Sequence, residues 1–267
     1  MKKVVLITGG SSGIGKSVGE FLSEKGFVVY GTSRNPQKIE KHPFKLVELD
    51  VNLTESISKA IKEVVQLEGK IDILINNAGM GITGPIEETP TNEMRKVFDT
   101  NFFGAIEVMK AVLPQMRTQK SGLIINVTSI AGYMGLPFRG IYSATKGALD
   151  LVSEAARMEV KEFGVNIVTI APGDVATNIA AGRYHTPVFD NSAYKEKYQM
   201  NLDLMDSHVD SGMNPIKMAE KIHQIVNLKQ PIVHYKVGAF MEKFSIVLKK
   251  ILPSKIYEKL LMNHYKL

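Results

Sequence analysis

Seven short β-branched runs separated by segments of helical period constrain this chain more than any other feature of its sequence. The runs lie at 3–8, 27–32, 44–49, 71–76, 123–128, 165–171 and 232–235. Most are continuous in apolar residues rather than alternating, which is the pattern of strands buried on both faces. Between them, Ile57, Ala60, Ile61, Val64 and Val65 form one helical stripe. Met94, Val97, Phe98, Ala105, Val108, Met109 and Val112 form another. Strands that alternate with helices require right-handed βαβ crossovers and a parallel sheet. The expected class is therefore α/β, a doubly wound parallel seven-stranded sheet with helices on both faces.

Composition narrows what such a fold does. At 44% hydrophobic and 22% charged over 267 residues, the chain has the balance of a globular domain, not a disordered one. It has no cysteine, so disulfides, thiolate nucleophiles and cysteine-based zinc sites are excluded. Its six histidines (42, 185, 208, 223, 234 and 264) show no metal-ligand spacing, and no metal is expected. No apolar run approaches the roughly 18 residues of a membrane span. The four apolar residues after Lys2 and Lys3 are too few for a signal peptide, so the expected location is cytoplasmic. Of the net charge of +6, residues 236–267 carry +5, from seven Lys and two Glu. The nearly neutral body offers no stripe for nucleic acid. We expect one dinucleotide-binding and catalytic domain over 1–236, with an irregular lid at about 178–214. A basic amphipathic extension follows over 237–267.

The first strand runs into Thr8-Gly9-Gly10-Ser11-Ser12-Gly13-Ile14-Gly15-Lys16-Ser17. Glycines let a backbone approach phosphate closely, and the helix that follows offers free N–H groups. Two patterns fit this stretch. Residues 10–17 match the phosphate loop of nucleotide triphosphatases, and Gly9, Gly13 and Gly15 match a variant of the dinucleotide-binding turn of Rossmann-type folds.

The rest of the chain separates them. Asn76-Asn77-Ala78-Gly79 ends the fourth strand, and Asn101 follows in Thr100-Asn101-Phe102-Phe103-Gly104. Ser129 closes the fifth strand, Tyr142 and Lys146 stand in a YxxxK spacing, and Pro172-Gly173 closes the sixth with Thr177 four residues on. In order and spacing, residues 3–177 closely resemble the short-chain dehydrogenase/reductase family. No Asp suited to magnesium follows a hydrophobic strand where the phosphate-loop pattern needs one. A non-catalytic NADP-sensing regulator on the same fold is the alternative, and it has no need of the full Asn101–Ser129–Tyr142–Lys146 set.

The residues and the resemblance each contribute to the site. Ligands of open α/β sheets bind beyond the carboxyl ends of the strands. Those ends carry the glycine loop, Arg34, Asp50, Asn76–Gly79, Ser129 and Pro172-Gly173. After the second strand the chain reads Tyr30-Gly31-Thr32-Ser33-Arg34, without the acid that bonds a ribose 2′-hydroxyl. An arginine there suits a 2′-phosphate. The resemblance makes Ser33 and Arg34 an NADP-type pair and Asp50 and Val51 the adenine contacts. It adds Ser11, Ser12, Ile14, Asn77, Ala78 and Gly79 to the cofactor side. It also assigns Pro172, Gly173, Val175 and Thr177 to the turn at the nicotinamide. The expected cofactor is NADP(H).

Tyr142 and Lys146 are i, i+4 and share one helical face. A nearby ammonium favours tyrosinate, which makes such a pair an acid/base near neutral pH. Lys146 also reaches the cofactor ribose in this reading. Ser129 would hydrogen-bond a substrate carbonyl. Asn101 is either a satisfied buried amide or, as the resemblance implies, holds a water in a proton relay to Lys146.

Met80, Ile82, Tyr133, Met134, Leu136, Phe138, Tyr184, Phe189, Tyr194, Tyr198, Met200 and Met205 stand as a substrate lining or as residues that pack the lid. His185 is a plain loop residue or a substrate contact. In the extension, Phe240, Phe244, Val247, Leu248, Ile251 and Leu252 share one helical face. That face docks on the body, on a sister subunit or on an anionic membrane. Small acyl-carrier ketoacyl reductases of the family end sooner. The longer tail resembles members acting on steroids, retinoids or keto-lipids, so a small hydrophobic ketone or alcohol is the expected substrate. A homodimer or homotetramer is the expected assembly.

Overall fold

The computed structural model describes residues 2–39, 42–177, 182–210 and 212–267, the side chains of 206–210 excepted. The strands are β1 (Val4–Ile7), β2 (Val28–Ser33), β3 (Lys45–Glu48), β4 (Ile73–Asn76), β5 (Ile82–Thr83), β6 (Gly122–Val127), β7 (Val165–Pro172), β8 (Tyr184–His185) and β9 (His234–Val237). Seven of them form one sheet in the order β3-β2-β1-β4-β6-β7-β9, and every pairing is parallel. Chain order reverses between β1 and β4, which opens the crevice used by ligands of this topology.

Side-chain alternation along the strands builds two cores. Val4 and Leu6 of β1 face one layer, where α2 (Thr54–Glu68) supplies Ile57, Ile61 and Val64. α4 (Gly104–Gln119), which follows α3 (Thr91–Phe98), adds Val108, Val112 and Met116 to that layer. Val5 and Ile7 face the other layer, built by Val18 and Leu22 of α1 (Gly13–Glu24). The remaining long helices are α5 (Gly140–Glu159), α6 (Lys195–Asp210), α7 (Ile216–Val226), α8 (Phe240–Ile251) and α9 (Ser254–His264). Met218, Ile222 and Ile225 of α7 complete the second layer.

Three local features depart from expectation. The stripe from Met94 to Val112 is interrupted by a wide turn at Asp99–Phe103, and such π-type turns recur at functional sites. The last strand begins two residues later than its apolar run because Ile232 donates its N–H to the Tyr235 hydroxyl at 3.0 Å, outside the ladder. Within the expected irregular lid, Lys195–Asp210 forms a helix. It buries Tyr198, Asn201 and Met205 at i, i+3, i+7 spacing, a narrow face that charged neighbours hide in the sequence. Residues 178–181 and 211 of that segment lie outside the described residues.

Candidate active site

The first part of the site is made of backbone. Thr8 ends β1, and its Oγ1 accepts the N–H groups of Asn77 and Ala78 at 2.9 and 3.0 Å. Asn77 returns its Nδ2 to the carbonyls of Thr8 and Gly9 at 3.1 and 3.2 Å. These four bonds clamp the glycine loop to the end of β4. Gly9 and Gly13 have φ of +64° and +52°, which side chains rarely adopt. A Cβ on Gly15 would strike the Gly9 carbonyl, so the loop closes only on glycine there. Ser12 starts α1 without a side-chain cap bond, so the first-turn N–H groups keep their capacity for a ligand. Lys16 instead points along the helix to Glu20, at 3.9 Å.

A groove of about 480 Å³ runs from this loop over the carboxyl ends of β2 and β3. It gathers Gly9, Ser11, Ser12, Gly13, Ile14, Ser33, Arg34, Asp50, Val51, Asn77, Ala78, Gly79 and Thr177, all named from the sequence. Gly15 lies beneath the loop and does not face the groove.

A smaller cavity of about 100 Å³ adjoins the groove, sharing Ile14, Asn77, Gly79, Met80 and Thr177 with it. Ser129, Tyr142, Lys146, Pro172, Gly173 and Val175 line it. Ser129 follows β6, and its Oγ accepts the Ala131 N–H at 3.2 Å, which leaves its own proton to donate. Lys146 is buried one turn beyond Tyr142 on α5; its Nζ sits 6.0 Å from the Tyr142 ring centre and donates to the Val127 carbonyl at 3.0 Å. Burial pushes the Lys146 pKa down, and the neighbouring tyrosine acts in the opposite sense.

Asn101 does not line the cavity. The wide turn buries it, and its side chain closes two bonds with the Met80 backbone: Oδ1 accepts the N–H at 2.8 Å and Nδ2 donates to the carbonyl at 2.9 Å. Nδ2 also donates to Thr145 Oγ1 at 3.2 Å. A satisfied amide thus ties three segments together beside Lys146.

The structure separates the two readings of the expected apolar set. Of those twelve residues, only Met80 and Ile82 face the cavity. Tyr198 is buried against Thr83, where its hydroxyl donates to the carbonyl at 2.9 Å. Met134 and Leu136 pack beneath the C-terminal helices, and Phe189 and Met200 are exposed. Apolar residues in these loops hold the lid and tail to the body. Three charged residues absent from the expected set line the cavity instead: Arg139, Asp174 and Arg183. Asp174 follows the recognised Pro172-Gly173 turn, so its position was available from the motif. Arg139 and Arg183 reach the cavity only through the path of their loops.

Glu242 is a further residue outside the expected set that supports the site. Its carboxylate accepts the Asp174 N–H at 2.7 Å and the Ala239 N–H at 2.6 Å, joining α8 to the turn beside Tyr142. A Cβ on Gly173 would collide with that carboxylate.

The histidines behave as the fold dictates. His185 pairs through Nδ1 with Thr83 Oγ1 at 3.2 Å, in the short β5–β8 ladder. His234 meets Asp150 and Glu154 of α5, with donor atoms within 4.8 Å of one another. Its ring nitrogens are already engaged, Nε2 with Glu154 at 3.0 Å and Nδ1 with Thr169 at 2.9 Å. Among the described residues, no helix is long and apolar enough to cross a membrane.

A parallel sheet with a glycine-clamped groove beside a serine–tyrosine–lysine cavity defines an oxidoreductase of the dinucleotide-binding class. The family model described as short chain dehydrogenase matches residues 3–187, and the chain belongs to that family. It is 37% identical over 265 residues to a 3-ketodihydrosphingosine reductase of Bacteroides thetaiotaomicron, covering 98% of each chain. A short-chain dehydrogenase from Streptomyces avermitilis superposes with a TM-score of 0.82 at 29% identity, over 97% of each chain. ElxO with NADP bound superposes at 0.72 with 28% identity, over 89% of this chain and 97% of that one.

Proposed function

We propose that the protein reduces a ketone to a secondary alcohol with NADPH, on a hydrophobic lipid-like substrate with polar groups beside the reacting carbon. The observation that carries this reading is the convergence of Ser129, Tyr142 and Lys146 on a cavity that opens into the glycine-loop groove.

The groove fits a dinucleotide. Gly9 and Gly13 leave backbone open to a pyrophosphate, and the start of α1 supplies N–H donors. Ser33 and Arg34 stand where a 2′-phosphate needs donors, and ElxO, a neighbour of this chain, is an NADP-bound protein. Asp50 and Val51 lie where the adenine end would rest. Pro172, Gly173, Val175 and Thr177 border the cavity, where the nicotinamide end would rest.

The bound cofactor supplies the hydride. The chain's own residues do the rest. Ser129 donates a hydrogen bond to the substrate carbonyl oxygen, keeping its own proton, and fixes that oxygen's position. Tyr142 gives its hydroxyl proton to that oxygen as the alcohol forms. Lys146 opposes the charge left on the Tyr142 oxygen. Burial lowers its pKa, so it holds its proton less tightly than a surface lysine. Asn101 is a positioning residue, holding the Met80 backbone and Thr145 beside Lys146.

Arg139, Asp174 and Arg183 suit a substrate with polar groups near its ketone, and the relative named 3-ketodihydrosphingosine reductase supports a lipid ketone. The test follows NADPH absorbance with 3-ketodihydrosphingosine, a steroid ketone and a plain long-chain ketone. Faster turnover of the first is expected. Turnover confined to the plain ketones would overturn the substrate class, and equal use of NADH would overturn the cofactor. Exposed Leu151 and Met158 on α5 and Phe103 beside α4 support a homodimer or homotetramer. Sedimentation at micromolar concentration that finds only monomer would overturn it.

A further inference from the structure

The fold buries one side of α8, with Glu242, Ile246, Leu248 and Leu252 toward the body, and leaves a second apolar stripe open. Toward the body, Glu242 holds the turn at Asp174, the Ser245 hydroxyl meets Met134 Sδ at 3.8 Å, and Ile246 is 1% exposed. Lys249 lies over the Tyr257 ring at 5.2 Å. Away from the body, Phe240, Phe244, Val247 and Ile251 repeat at i, i+4, i+7, i+11 and form one stripe. They are 72%, 37%, 47% and 67% exposed, and the Phe240 and Phe244 rings stack at 5.6 Å. On α9, Ile256 and Leu260 are 52% and 46% exposed at the same i, i+4 spacing. Lys243 and Lys250 flank the α8 stripe, and Lys255 and Lys259 are exposed on α9. The expectation that the six apolar residues share one docked face is thus divided: Leu248 and Leu252 turn inward, and the other four face solvent.

We propose that this lysine-flanked stripe of α8, continued on α9, docks the protein on an anionic lipid bilayer. Charge selects the occupant. Lys243, Lys250, Lys255 and Lys259 lie beside this face, so a twofold contact between two copies of it would bring like charges together. An apolar stripe edged by Lys243 and Lys250 on one side and continued by α9 with Lys255 and Lys259 matches the boundary between acyl chains and anionic headgroups. The inference holds whichever ketone the cavity takes. It differs from a membrane span, because the helices lie on the surface and remain anchored to the body through Glu242, Ile246 and Tyr257.

The chain contains no tryptophan, so Phe244→Trp creates a single indole reporter on the stripe. Its emission is expected to shift to the blue with phosphatidylglycerol vesicles and to stay unchanged with phosphatidylcholine vesicles. The full-length protein is expected to co-sediment with the anionic vesicles at low salt and to release at high salt. Lys243→Gln with Lys250→Gln is expected to lower partitioning about 25-fold at low salt. Phe240→Ser with Ile251→Ser is expected to abolish co-sedimentation while turnover of a water-soluble ketone stays unchanged. Equal binding to neutral vesicles, or an indole emission that anionic vesicles leave unmoved, overturns the proposal. A blue shift that grows with protein concentration without vesicles also overturns it, by assigning the stripe to a second copy. Loss of ketone turnover in the native chain would strike the enzymatic reading and leave the vesicle result standing.

Discussion

Along the carboxyl edge of the sheet, the groove from the glycine loop to Arg34 is made largely of backbone. The cavity at Tyr142 is made of side chains delivered from separate elements. In the groove, Thr8, Gly9, Asn77 and Ala78 satisfy one another within two adjacent strand ends. In the cavity, Ser129 comes from the end of β6, Tyr142 and Lys146 from α5, Asp174 from the end of β7 and Arg183 from the approach to β8. The first construction tolerates little change in residue size and reads only shape and phosphate charge. The second can be retuned residue by residue while the sheet stays the same. That division suits a fold that keeps one cofactor chemistry while its substrate varies.

Four experiments press on that contrast. The largest effect belongs to the cavity. Tyr142→Phe removes the proton donor but keeps the ring, so turnover should fall by about 10²-fold or more while NADPH still binds. Stopped-flow turnover and a cofactor fluorescence titration read the two halves separately, and near-normal turnover would end the mechanism.

Arg34→Asp reverses the charge at the exposed end of the groove. It should weaken NADPH binding by about 1.5–3 kcal/mol, the range for hydrogen bonds to a charged group, and leave NADH binding less affected. Calorimetric titration of both cofactors checks it.

Gly15→Ala places a methyl group against the Gly9 carbonyl. Backbone cannot move aside cheaply, so a loss of about 1–3 kcal/mol in stability is expected, with weaker binding of both cofactors. If the variant binds NADPH normally, the groove is more pliant than its glycines imply.

The smallest effect lies under the groove. Tyr30 donates to Glu68 Oε1 at 2.6 Å, and burial with that carboxylate raises its pKa from 10.0 to about 12. A raised pKa on an acid means its stabilisation is complete below about pH 10 and is lost as pH rises through 12. Tyr30→Phe should cost about 1 kcal/mol at pH 8 and flatten stability between pH 10 and 12, with turnover unchanged. Urea midpoints across that range measure it.

Much of this could be read from the chain. Continuous apolar runs located the seven strands of the large sheet within a few residues, because burial on both faces leaves a pattern that helices and loops do not share. The groove was marked by glycine spacing and strand ends, and the family resemblance supplied most of its individual residues. Other features had weaker signals. α6 was missed because its inward face is only Tyr198, Asn201 and Met205 among charged neighbours. Tyr133 through Phe138 left lining and packing both open, because a sequence cannot tell which neighbour an aromatic loop residue meets. Glu242 carries a local mark only for the start of α8, through Ala239 three residues away; its bond to Asp174, 68 residues away, has none.

By itself the sequence determined the strand–helix order, the glycine loop, the YxxxK pair and the absence of thiol chemistry. Each depends on contacts within a few residues or on the period of one element. Only the tertiary structure decided that the cavity is walled by Arg139, Asp174 and Arg183, that the Asn101 side chain bonds the Met80 backbone and Thr145, and that α8 turns an apolar stripe outward. Amphipathicity marks a helix as having two faces, but which face meets the body depends on what the body offers. Here it offers the N–H of Asp174 and the recess that receives Ile246, so Glu242 and its neighbours turn inward and the phenylalanines do not.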